Sequence, residues 1–593
     1  MLTQEETALQ EQAEQALRAD RPADALASYR RLLQNVRVLG GVFEKWLTGM
    51  LAACKALGKR RMAGILLLAL RRFDEALASF DVETSPFERA LCAEALGRYG
   101  EAAAAFRAAN LPALAAMALE KAQDASGAAV QWQAVLRHEG LRGHVYQAAL
   151  VHFNLARVWR QMGATAQARQ ETTITRRLLE ACADDFETQG ESDRALDCYG
   201  ALLRLGKDAG SFEDVAEGTL NSIRILEASQ QRFWVLQYYD DFLELASTVG
   251  EWHAAATLAV EAADFSASLG PKYQRHYQQR ALSLWHEAAR QNLLAKGPVE
   301  VSENALVAGV DVAASLGDLH MIGRLYVALA ELDLGEAKRA RYAAWATRYR
   351  EAPPSPSVEA PPTEHWRRQD AYPEVWLQDL VEWELAGHPD WTLARLVAAP
   401  LTLVSAGRAA LRALLVATDV DAGLDDTSRA AELALALGEV MVYDVIQPIE
   451  ELSRHPAALV RAAAAAAAGR TPHRRSFGII RRALADPDGT VRREAVQALR
   501  SLSFHDAFAS LARFFRQSVD PEARLAALDA IGKIHSLEAG LFLIDVVRQD
   551  GGEAVQRALA FLRGRPGLTS MVRHAMSMET GAVKKALEGL LQE

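Results

Sequence analysis

An alanine followed four residues later by an aromatic ring recurs along the early part of this chain, at Ala25/Tyr29, Ala76/Phe80, Ala102/Phe106, Ala128/Trp132 and Ala195/Tyr199. Residues four apart stack on one face of a helix, so the small side chain lets a neighbouring helix approach while the ring fills the space beside it. Each pair therefore marks the second helix of a helical hairpin. Five residues before the alanine, Gly97 and Gly190 supply a turn, and Gly163, Gly210, Gly250 and Gly317 keep that offset before Ala168/Thr172, Val215/Thr219, Ala255/Ala259 and Ile322/Tyr326. A chain of 593 residues exceeds the roughly 250 to 300 at which one core stops growing. Stacked hairpins, each packed only on its neighbours, solve that problem.

The pattern resembles the TPR family from about residue 5 to residue 350. Ala76, Ala102 and Ala128 are spaced by 26 residues against the family's roughly 34, which predicts shorter helices, and Arg37 stands where the family often closes a repeat with proline. The resemblance implies an all-α solenoid and a groove that cradles peptides or helices. The family's basic carboxylate-clamp residues map onto no repeat here.

Half the residues are apolar and 24% are charged, with a net charge of −10. That is a globular composition without a field strong enough to draw the whole molecule onto nucleic acid or anionic lipid. Lysine numbers 11 against 55 arginines, a bias that points to GC-rich coding and a bacterial source. Cys54, Cys92, Cys182 and Cys198 form no C-x-x-C pair and read as small core residues of a reducing compartment. Met1 to Leu9 lacks the basic and apolar runs of a signal peptide, so a cytoplasmic protein is expected. Leu396 to Ala417 is broken by Pro400, Arg408 and Arg412 and reads as one or two buried helices, not a membrane span.

Residues 351–364 contain Pro353, Pro354, Pro356, Pro361 and Pro362, which blocks helix and marks a linker. It divides a helical repeat domain at 1–350 from a tryptophan-rich region at 365–454. There Trp366, Trp376, Trp383 and Trp391 fall within 26 residues. Trp376, Leu380 and Trp383 share a helical stripe that reads as buried, with a partner-binding hot spot as the alternative. Asp419, Asp421, Asp425 and Asp426 form a turn or cap; Ala430 stands where a calcium loop needs glutamate.

From about Pro456 the register tightens. Val460-Arg461, Val491-Arg492 and Ala523-Arg524 recur at intervals of 31 and 32, and Ala554 follows after another 31. Asp486-Pro487-Asp488 and Asp520-Pro521 precede the helices as cap and proline. This resembles the HEAT family over about residues 455–565, within a domain at 455–593; Val555 replaces the arginine in the last copy, as in a capping repeat. The resemblance implies that Arg461, Arg492 and Arg524 bond between neighbouring units.

Residues 454 to 516 hold twelve arginines against four acids. Beyond the repeat arginines, Arg474, Arg475, Arg481, Arg482, Arg493 and Arg500 form a candidate patch, with Arg493, Gln497 and Arg500 on one stripe of a helix. The patch reads as a solvated face, a dock for an acidic protein, or a phosphate-backbone site.

Catalytic patterns are missing: no phosphate loop, no nucleophile elbow and no dinucleotide turn. His286-Glu287 opens like a zinc motif, but Arg290 stands where the second imidazole belongs. His152, His253 and His276 read as ordinary helix histidines. Rings at Phe233, Trp234, Tyr238, Tyr239 and Phe242 read as core packing. No metal or cofactor is expected. The chain reads as a scaffold or adaptor for protein partners, with nucleic-acid binding through the arginine patch as the alternative and a HEAT-type glycosylase or lyase third.

Overall fold

A computed structural model describes the chain apart from residues 1–2, 34–40, 139–140, 190, 229–231, 354–374, 400–404, 419–424, 472, 505–506, 564–583, 586 and 590–593. The described residues are helical, with no strand among them. The helices are α1 (Gln4–Arg18), α2 (Pro22–Leu33), α3 (Gly41–Ala56), α4 (Arg60–Ala69), α5 (Phe73–Ser79), α6 (Pro86–Ala95), α7 (Tyr99–Ala108), α8 (Pro112–Lys121), α9 (Ala125–Arg137), α10 (Val145–Gln161) and α11 (Thr165–Thr188). Then come α12 (Ser192–Ala209), α13 (Phe212–Ala228), α14 (Arg232–Val249), α15 (Trp252–Ser266), α16 (Pro271–Leu294), α17 (Val299–Leu316), α18 (Leu319–Glu331) and α19 (Glu336–Tyr349). After the proline-rich segment follow α20 (Val375–Glu384), α21 (Pro389–Ala398), α22 (Ser405–Thr418), α23 (Asp426–Val440), a 3-10 turn at Tyr443–Val445, and α24 (Ile446–Leu452). The last are α25 (Ala458–Arg470), α26 (Arg474–Leu484), α27 (Gly489–Ser501), α28 (Phe508–Gln517), α29 (Pro521–Lys533), α30 (Leu537–Gln549) and α31 (Gly552–Leu562).

The alanine–ring pairs are core. Ala25, Ala76, Ala102, Ala128 and Ala195 are fully buried, as are or nearly are Tyr29, Phe80, Phe106, Trp132 and Tyr199. The rings need glycine opposite them: a Cβ on Gly49 would fall on the Tyr29 ring, and one on Gly64 on that of Phe80. The 26-residue spacing is met by short helices, α4 to α8 being seven to ten residues each. The turn five residues ahead of the alanine is left-handed throughout this run. Gly97 takes it at φ +73°, while Asp20, Arg71 and Gln123 take it without glycine, so a search for glycine alone misses three turns. Gly163, Gly210, Gly250 and Gly317 also have positive φ; Gly190 lies outside the described residues.

Two compact units emerge, Met1–Leu178 with Glu374–Glu593, and Leu179–Pro373. Of the linker expected at 351–364, residues 354–364 lie outside the described residues. In the first unit α20, α21 and α22 pack on α4, α6, α8 and α10. Trp391 stacks on Phe87 at 5.0 Å, Arg61 bonds Asp390 at 3.0 Å, and Tyr146 donates its hydroxyl to Asp379 at 2.9 Å. Of the stretch Leu396 to Ala417, residues 396–398 end α21 and residues 405–417 lie in α22, with 400–404 outside the described residues, and Asp425 caps α23 through the Ser428 N–H.

In the last third, α23, α25, α27, α29 and α31 form one close-packed row. A Cβ on Gly438 would lie 2.7 Å from the Ala467 Cα, and one on Gly469 would lie 2.6 Å from that of Ala498. Asp488 and Asp520 cap α27 and α29. Arg461 bridges to Asp486 of the next unit at 2.8 Å, and Arg524 bridges to Asp550. Arg492 finds no acid one unit on and instead donates to the Asp486 and Pro487 carbonyls at 2.7 and 2.8 Å.

Candidate partner-binding surface

The expected arginine patch divides into paired and unpaired members. Arg475 is half-buried and fully engaged: its guanidinium donates to Glu382 at 2.6 Å, to Gln447 at 2.8 Å, to the Tyr443 hydroxyl at 3.2 Å and to Glu450 at 3.3 Å. The reason is electrostatic, since Glu382 is 6% exposed and a buried carboxylate needs a cation and donors beside it. Burial pushes the Glu382 carboxyl up, with Arg475 pulling it back and Asp379 adding to the rise.

Glu450 gathers three arginines, with Arg454 at 2.7 Å, Arg482 at 3.0 Å and Arg475 at 3.3 Å. Burial would raise its carboxyl, but these guanidiniums outweigh burial and hold it below the ordinary value. Arg482 thus stays exposed but is paired. The chain of bonds runs on through Tyr443, whose hydroxyl donates to Asp379 at 2.9 Å, to Tyr146 of α10. This polar hub ties α10, α20, α24 and α26 together.

Arg500 is half-buried within 3.6 Å of both Glu522 and Asp529. It stands one repeat after Gly469 and one before Gly532, at the point where those glycines touch the next helix. The tight contact is replaced there by an ion pair, and Asp529 also takes Arg557 at 2.5 Å. Arg481 and Arg493 remain exposed; Arg493 bonds Thr490 at 3.3 Å, and neither makes an ion pair among the described residues. Gln497 is exposed on the same helix as Arg493. The side chain of Arg474 lies outside the described residues.

Of the tryptophans, Trp366 and the Trp376 side chain lie outside the described residues. Trp383 is half-buried, edge-on to His138 at 5.9 Å, and Leu380 is fully buried. Trp383 serves packing between α20 and the loop after α9. His152 is bound to Glu171 at 2.6 Å, His253 lies edge-on to Trp285, and His286 is exposed. Tyr239 and Phe242 are buried and Tyr238 half-buried; the side chains of Phe233 and Trp234 lie outside the described residues.

Sequence reading missed a second surface, at the end of the Leu179–Pro373 unit. Tyr326, Tyr342, Trp345 and Tyr349 of α18 and α19 cluster, Trp345 lying 5.0 Å from Tyr326. The signal is present, because Tyr342, Trp345 and Tyr349 recur at helical spacing just ahead of the prolines.

A family model of HEAT repeats matches residues 423–500, 445–532 and 478–563. No curated protein matches the chain. Solved structures similar to it include that of Naa15/Naa10 bound to HypK-THB, 11% identical over 99% of this chain and 100% of that one, with a TM-score of 0.21. The UNC-45 chaperone is 13% identical over 99% and 68%, with a TM-score of 0.18. A circular tandem repeat protein is 14% identical over 94% and 97%, with a TM-score of 0.11. At such scores none carries a role over to this chain. No described helix is long and apolar enough to cross a membrane.

Proposed function

We propose that this protein is a non-catalytic scaffold that binds protein partners on the surfaces of its stacked hairpins, TPR-like toward the start and HEAT-like toward the end. The observation that carries this reading is the fate of the arginines. Arg461, Arg475, Arg482, Arg500 and Arg524 are spent on internal pairs, whereas Arg481 and Arg493 stay exposed on the HEAT-like arm. Exposed arginines on a rigid helical framework suit orientation of an acidic protein surface, where they add steering and specificity. A phosphate backbone needs a continuous run of free cations; Arg470 and Arg513 are exposed as well, but the internal pairs at Arg475, Arg482 and Arg500 interrupt the run, so that reading stands second.

The test is affinity purification from the source cells, then reconstitution of the recovered protein with purified wild type and with R481E/R493E. A stoichiometric complex whose affinity falls by about tenfold in the variant supports the scaffold reading. Turnover of a substrate by the purified chain alone, or recovery of nuclease-sensitive nucleic acid and no protein, overturns it.

A further inference from the structure

Helix α19 is the last described helix of the Leu179–Pro373 unit, and it makes an unusual end. A terminal helix of a stacked repeat needs a polar outer face, yet Tyr342 is the one buried residue of α19, and Trp345 stands 39% exposed with exposed Ala343 and Ala344 beside it. The ring is held firmly. Trp345 lies 5.0 Å from Tyr326 and 6.0 Å from Tyr342, and Tyr326 itself stacks on Tyr342 and on Tyr349, each at 6.2 Å. A rigid, half-open indole loses little entropy on binding, which makes it a good anchor.

Charge surrounds this anchor. From Lys338 to Arg350 the chain carries Lys338, Arg339, Arg341, Arg348 and Arg350 and no acid. Lys338 is bound to Glu303 of α17 at 2.8 Å. Arg339, Arg348 and Arg350 are exposed and make no ion pair among the described residues. Arg341 sits 5.6 Å from the Trp345 ring and 5.7 Å from that of Tyr342, which orients its guanidinium by cation–π attraction. Arg341, Trp345 and Arg348 lie at i, i+4 and i+7, so one helical stripe places a cation on each side of the indole.

We propose that this ring-and-arginine face of α18 and α19 docks an acidic segment of a partner protein, one apolar side chain packing on Trp345 while flanking carboxylates pair with Arg341 and Arg348. It rests on the scaffold reading and names the chemistry of one partner. A carboxylate matches the planar fork of a guanidinium bidentately. A nucleic acid strand instead needs successive open rings for successive bases, and here the tyrosines are half-buried or buried against one another while Trp345 alone of the cluster is exposed.

The experiment is fluorescence anisotropy on the full chain with a labelled peptide of glutamates interspersed with leucine and phenylalanine. The same peptide with glutamine for glutamate, and labelled oligothymidylate, are run beside it. The acidic peptide binds, and W345A and R341E/R348E each weaken it by about tenfold or more. Thermal unfolding of R348E matches wild type, because Arg348 is exposed and makes no ion pair among the described residues, and R348E alone also weakens the acidic peptide. No binding of the acidic peptide, equal affinity in wild type and both variants, or tighter binding of the glutamine peptide or the oligothymidylate overturns the proposal. Loss of the natural complex in R481E/R493E alongside such a failure removes this site and leaves the scaffold reading standing.

Discussion

The Glu384 carboxylate accepts the backbone N–H of Ala113 at 2.6 Å, and that of Leu114 at 2.8 Å, from 271 and 270 residues further along the chain. Helix α8 begins at Pro112 after Leu111, which has no side-chain oxygen to cap it. The first N–H groups of a helix need acceptors, and the two oxygens of the Glu384 carboxyl supply them. Glu384 of α20 is thus the cap that α8 lacks, and it fastens the segment after the prolines onto the first helical stack.

Replacing Glu384 by alanine should cost about 1 to 2 kcal/mol, the value of a lost cap, seen as a lower urea midpoint. Burial pushes this carboxyl up from 4.5 to about 8, against the pull of the two N–H donors. Between those values the folded chain holds a proton that the unfolded chain has released, so stability falls as pH rises through the window. Wild type should lose more of its melting temperature than E384Q between about pH 5 and about pH 8.5. Equal pH profiles for the two would show that Glu384 does not titrate in this way.

Arg475 is the cation on buried Glu382, while Glu450 keeps Arg454 and Arg482 without it, so R475A strands the Glu382 carboxyl beneath the surface. A loss of about 3 kcal/mol or more is expected, whereas exposed R481A should stay within about 0.5 kcal/mol of wild type. Denaturant unfolding of both variants decides it, and R475M/E382Q should recover part of the loss.

Gly469 touches the Ala498 backbone, which cannot rotate away. G469A should destabilise by about 1 kcal/mol or more, overpacking outweighing the gain in helix propensity. Gly478 lies inside α26 with open space around its Cβ position, so G478A should stabilise by about 0.5 to 1 kcal/mol. Melting temperatures moving in opposite directions is the outcome to look for.

Cys54, Cys92, Cys182 and Cys198 are buried and form no disulfide, and burial raises the Cys92 thiol to about 12 and the Cys182 thiol to about 11. Since the thiolate is the reactive form, Ellman's reagent should label none of the four promptly in the native protein and all four in denaturant. Prompt native labelling of Cys92 would contradict this burial.

Local spacing in the sequence was enough to place the hairpins, because a ring four residues from an alanine and an arginine every thirty-odd residues are set by helix geometry and by contact with the next repeat. It also narrowed the caps to a turn or cap among Asp419, Asp421, Asp425 and Asp426, to Asp486-Pro487-Asp488 and to Asp520, since a cap bonds within three residues of itself, and the structure picks Asp425, Asp488 and Asp520. Three things depended on distant chain. Glu384 meets Ala113 and Tyr146 meets Asp379 across more than 230 residues, so the pairing of the first stack with the segment after the prolines has no local signature. Arg475 and Arg481 look alike in sequence, and only the presence of Glu382 and Glu450 beside one of them decides which is paired and half-buried and which faces solvent. The exposure of Trp345 likewise depends on which helices pack against α19: among the described residues its ring meets Tyr326 of α18 and stays 39% exposed, a matter of contacts between helices that spacing along one helix does not carry.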